Sequence, residues 1–125
     1  MAIEERGQQV ATDETQDMIA SDKVEGTSVY NLRDEKLGSI ETLMIDKNSG
    51  QVRYAVMSFG GFLGIGEHCH PIPWQALTYD ARRDGYVVDL DKDRLEKAPH
   101  YPGKETARWD DSHWPHTADD FFGLT

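Results

Sequence analysis

At 125 residues and a net charge of −10, from 13 Lys+Arg against 23 Asp+Glu, the chain has one domain's length and a charge that repels phosphate backbones. Nucleic acid is not an expected partner, since only Arg82-Arg83 place two cations side by side. No run approaches the roughly 18 apolar residues of a spanning helix, and the polar, acidic start lacks the basic and apolar regions of a signal peptide, so no membrane insertion and a cytoplasmic location are expected.

Residues 1–22 carry six acids, one Arg and only scattered aliphatics. Such a segment buries too little apolar surface to offset its ordering entropy and reads as a flexible acidic arm. From Lys23 the pattern changes to short β-like runs between turn signals. The first is Thr27-Ser28-Val29-Tyr30, and the second runs from Gly38 to Ile45. Its inward residues, Ile40 and then Leu43 and Ile45, slip by one in the alternation, which predicts a β-bulge near Glu41-Thr42. Asp46-Lys47-Asn48-Ser49-Gly50 reads as a hairpin turn with Gly50 at positive φ.

Val52 to Phe59 is apolar on both faces, with Val52, Tyr54 and Val56 opposite Ala55, Met57 and Phe59. A strand covered on both sides reads this way. One face fits a barrel interior; the other calls for a tail, a helix or a second subunit. The prolines of His68-Cys69-His70-Pro71-Ile72-Pro73-Trp74 place the next strand at an edge or end it early, with Trp74 as a buried anchor at its end. Leu77 to Tyr79 and Tyr86 to Leu90 form a last hairpin. Asp91 to Ala98 follows as a short helix capped by Asp91 and stopped by Pro99. Residues 99–125 hold Tyr101, Trp109, Trp114, Phe121 and Phe122 without strand or helix period. Each large aromatic contributes roughly 1.5–3 kcal/mol when buried, so this tail is expected to pack on the barrel or on a partner. The elements together predict an all-β fold: a small, mostly antiparallel β-barrel of about six strands over 23–98, with a short helix and an aromatic-rich tail.

Four stretches carry a family resemblance. They are Gly26-Thr27-Ser28-Val29-Tyr30 with Leu37-Gly38-Ser39-Ile40-Glu41-Thr42-Leu43-Met44-Ile45-Asp46; Tyr54-Ala55-Val56-Met57-Ser58-Phe59-Gly60-Gly61-Phe62-Leu63-Gly64; and Pro71-Ile72-Pro73-Trp74. As a set they resemble the PRC-barrel family, and most of all its stand-alone bacterial members. The family includes the cytoplasmic domain of the photosynthetic reaction-centre H subunit and the C-terminal domain of a ribosome-maturation factor. The resemblance implies a compact barrel used for assembly or docking, and it brings no catalytic residues.

The remaining motifs are weak as chemistry. Gly60-Gly61-Phe62-Leu63-Gly64-Ile65-Gly66 lacks the order of a dinucleotide loop, and no GK[ST] follows, so no cofactor is expected. Phe62, Leu63 and Ile65 on that loop either fold back or meet a partner. With Phe59, Trp109 and Trp114 they are the candidate interface residues. His68 and His70 share a strand face, and His113 and His116 lie three apart in the tail. Zinc needs three or four converging ligands, which these four supply only if strand and tail meet, so no metal is expected. Cys69 is the lone cysteine, unable to form an internal disulfide, and its histidine neighbours point to the opposite strand face. The expected function is non-catalytic protein docking or assembly, as a homodimer held near the third strand and the glycine loop. The alternatives are a small-molecule or metal sensor with a site between barrel and tail, and an RNA- or ribosome-associated assembly factor.

Overall fold

The computed structural model describes residues 13–59, 68–99, 101–102 and 114–123. Its core is one curled, half-barrel sheet. Six main strands form it: β1 (Ser28–Tyr30), β2 (Lys36–Ile45), β3 (Val52–Phe59), β4 (His68–Pro73), β5 (Leu77–Asp80) and β6 (Gly85–Val88). A two-residue β7 (Tyr101–Pro102) completes the order β5-β6-β1-β2-β3-β4-β7. All pairings are antiparallel except β1 with β6. Among the described residues three α-helices accompany the sheet: α1 (Ser21–Val24), α2 (Lys92–Lys97) and α3 (Trp114–Phe121). Among the described residues no helix is long and apolar enough to cross a membrane.

The long β2–β3 hairpin is the spine. Asp46 sets its turn by accepting the backbone N–H groups of Asn48 and Ser49, at 2.8 and 2.9 Å. Those bonds hold its carboxyl below the usual carboxylate range, that of Ser49 first. Gly50 closes the turn at φ 78°. The register shifts between Ile40 and Thr42, where the slipped alternation predicts a bulge. Ile40 is accordingly buried and Leu43 packs at the rim of the core. Ile45 departs from expectation at 48% exposure, because a second shift between Met44 and Ile45 turns the strand end outward. Gly38 lies where the backbone of β3 comes close to β2. A Cβ there would collide with the carbonyl oxygen of Ser58 and meet Met57 Cγ at 3.1 Å.

The interior is filled by Val29, Leu37, Ile40, Ala55, Met57, Ile72, Tyr86, Val88 and Leu95, among others. Leu95 reaches it from α2, whose first turn is fixed by Asp91 accepting the Arg94 N–H at 2.8 Å. Val24 of α1, just past the segment read as an arm, belongs to the core, and within that segment Ile19 packs against it. An isolated aliphatic such as Ile19 in an acidic stretch gives no period to read, yet it has an apolar surface to meet.

Strand β3 is buried from Tyr54 through Ser58, so both of its faces are covered. Ala55 and Met57 look into the interior. Tyr54, Val56 and Ser58 share the reverse face with Pro73, Pro71 and Cys69, their register partners on β4. Helix α3 lies against β4 there. Ala118 is fully buried, and the Tyr54 hydroxyl donates to Asp119 Oδ1 at 2.8 Å. The tail therefore contains a helix where no period is expected: Trp114, Ala118, Phe121 and Phe122 stand at i, i+4, i+7 and i+8 in the sequence, the spacing of one helical face, and Phe121 and Phe122 pack against the core. The reverse face of β3 is covered within one chain.

Candidate functional site

A groove of about 430 Å³ opens on the core-facing side of the β5–β6 hairpin. Tyr79 and Tyr86 face each other in the strand register, and their ring centroids are 5.4 Å apart. The cross-strand pair therefore follows from hairpin geometry. Trp74 comes from a single 3-10 turn, Trp74–Ala76, that carries the chain from β4 into β5. Its ring lies 5.4 Å from that of Tyr86, so Tyr86 touches both other aromatics. Tyr86 is buried, Trp74 half-buried and Tyr79 exposed at 42%.

Residues 14–19 form the opposite wall. Thr15 folds this stretch on itself: its N–H donates to the Met18 carbonyl at 2.8 Å, and its hydroxyl accepts the N–H groups of Asp17 and Met18. Ile19 is thereby directed to the core while Met18 stays 69% exposed. Glu14 and Asp17 bring two carboxylates to the same groove. Burial pushes the Tyr86 phenol up, and the charge of Glu14 adds to it. Burial also raises Tyr79, followed by its 3.1 Å hydrogen bond to Asp84, the charge of Asp84 and that of Glu14. Aromatic faces, a thioether and two carboxylates are groups for contact and charge recognition.

The candidates from sequence whose side chains the structure describes, Phe59, His68 and His70, do not line this groove. Phe59 packs at the core rim with its ring 6.2 Å from His70. Phe62, Leu63, Ile65 and Trp109 fall outside the described residues, and Trp114 is described only as the first residue of α3. His68 is exposed on β4 while His70, on the same strand face, is 2% exposed. His113 is outside the described residues, and His116 is described only as backbone of α3. Among the described residues, no three His, Cys, Asp or Glu side chains are grouped to hold a metal. Trp74 is half-buried where a fully buried anchor is expected. The 3-10 turn rotates it off the strand, so one side meets the core and the other lines the groove. Sequence reasoning misses Met18 and the Tyr79–Tyr86 pair as surface features. The signal available was the two tyrosines at facing hairpin positions; Met18 sits in a stretch without any period.

No curated protein matches the chain. The family model of the PRC-barrel domain matches residues 16–95, more than half of the sequence. Domains of this kind are small β-barrel modules often involved in protein interactions, and are generally non-catalytic. The matched stretch starts at the groove wall, takes in all six main strands and ends at the core residue Leu95 of α2. With the curled six-stranded sheet and the bulged β2–β3 hairpin on which that match falls, the chain belongs to the PRC-barrel family.

Proposed function

We propose that this protein is a non-catalytic docking module that binds a protein partner through the groove between residues 14–19 and the β5–β6 hairpin. One observation carries the reading. Of the large hydrophobic side chains exposed among the described residues, Met18 and Tyr79 stand on this one groove, and half-buried Trp74 adjoins them. Scattered apolar side chains are ordinary on a protein surface, whereas a contiguous aromatic and thioether patch rimmed by acids is the composition of a contact site.

The test compares the wild type with a Met18→Asp, Tyr79→Asp variant as bait in its native extract, with circular dichroism to establish that both are folded. A defined protein retained by the wild type and lost by the variant supports docking at this face. Retention of the same proteins by both places the contact elsewhere and overturns the assignment. Sedimentation velocity on the same pair covers the expected homodimer. A wild-type dimer that the two charges dissociate would make a second copy of the chain the occupant of the groove.

A further inference from the structure

Among the described residues, the groove has acids and aromatic rings but no basic group of its own. Neither Lys, Arg nor His lines it, and neither Glu14 nor Asp17 takes part in an ion pair there. Three rings, with Tyr86 in contact with both Trp74 and Tyr79, lie beside two carboxylates, and both features attract a cation. The whole chain, at −10, draws a basic partner toward it.

The same molecule shows which cation such a setting holds. Arg83 places its guanidinium 5.9 Å from the Tyr30 ring centroid while donating to Asp34 and Asp80, each at 2.6 Å. A planar, weakly hydrated fork can lie on a ring and reach two carboxylates at once, which a compact ammonium does less well. Arg94 lies over the Phe121 ring at 4.9 Å in a second such contact.

We propose that the groove takes the side chain of an arginine carried by a basic segment of the partner protein, its guanidinium against the Trp74–Tyr86–Tyr79 rings and its donors toward Glu14 and Asp17. This rests on the docking reading and names the partner's chemistry. Met18 and the exposed side of Tyr79 contact the aliphatic stem of the same side chain.

The experiment titrates the isotope-labelled full chain with the peptide Gly-Ser-Arg-Gly-Arg-Gly-Ser at about 0.15 M ionic strength. Its citrulline and lysine counterparts are titrated in parallel, with amide and indole resonances observed. The arginine peptide is expected to give saturable shifts at the Trp74 indole N–H, residues 15–19 and Tyr79. The citrulline peptide, equal in shape but neutral, should bind roughly tenfold more weakly. The Glu14→Gln, Asp17→Asn variant should show a similar loss with its thermal midpoint unchanged. Equal binding of the citrulline peptide, tighter binding of the lysine peptide, or unsaturable shifts scattered over the acidic surface would each overturn the proposal. The same variant used as bait separates the two levels. If it still retains a partner that Met18→Asp, Tyr79→Asp loses, docking stands and the arginine is wrong; if both lose the partner, both stand.

Discussion

The hydroxyl of Tyr54 connects residues 65 positions apart in sequence, donating to Asp119 across the interface of β3 and α3. Burial first, then the hydrogen bond and charge of Asp119, push this phenol up to about 12. An unfolded tyrosine ionises near 10. Below that value the phenol is protonated in both states and its contribution to stability is complete. Between about pH 10 and 12 the unfolded chain can ionise while the folded one resists, so the contribution is lost as pH rises through that window. Tyr79 and Tyr86 are raised as well and act in the same direction, so the informative quantity is the difference from a variant. Tyr54→Phe is expected to cost about 1–2 kcal/mol at neutral pH. It should also lessen the alkaline decline, both read from urea unfolding at a series of pH values. A variant whose decline parallels the wild type would mean that the hydroxyl is solvated.

Among the elements, α3 is the one whose placement decides how much of the sheet is covered. Its Ala118 is fully buried, and the β3–β4 face beneath it carries Val56, Pro71 and Cys69. A carboxylate at position 118 would have to be desolvated against that face, which is costly without a partner. Ala118→Asp is therefore expected to detach the helix and leave the half-barrel folded. Cys69 is the reporter, since its thiol is buried in the native chain. Its labelling by an aromatic disulfide should accelerate roughly tenfold or more, corresponding to about 1.4 kcal/mol of easier opening. An unchanged rate in a folded variant would show that something other than α3 shields the thiol.

For the whole molecule, the question is where the stable unit begins. Acidity and sparse aliphatics in 1–22 read as an arm without a structural role, but Ile19 packs on the core and residues 14–19 wall the groove. Small barrels bury a modest fraction of their surface, so one added aliphatic matters. Deleting residues 1–20 is expected to cost about 1–2 kcal/mol. The thermal midpoint should then fall by roughly 4–16 °C, at about 4–8 °C per kcal/mol for a small domain. Ile19→Ala in the full chain should reproduce most of the shift. A truncated chain as stable as the full one would return these residues to the status of a free arm.

Local signals were enough for the parts of this fold whose partners are near in sequence. The bulge at Ile40–Thr42, the Asp46–Gly50 turn and the Asp91 cap all follow from alternation, turn chemistry and capping within a few residues. The two-sided apolarity of Val52 to Phe59 likewise established that something must cover both faces of β3. What covers them was a tertiary decision. Residues 114–122 do carry a helical spacing of apolar residues, Trp114, Ala118, Phe121 and Phe122, but a stripe this short says nothing of the surface it meets, and the packing of Phe121, Phe122 and buried Ala118 with the Asp119 hydrogen bond to Tyr54 is set by strands far away in sequence. The groove was hidden for the same reason. It joins residue 18, residue 74 and a pair at 79 and 86, and only the curl of the sheet and the 3-10 turn bring them together. Sequence patterns record which side chains must leave water, whereas the surface they leave it against is set by the packing of segments distant along the chain.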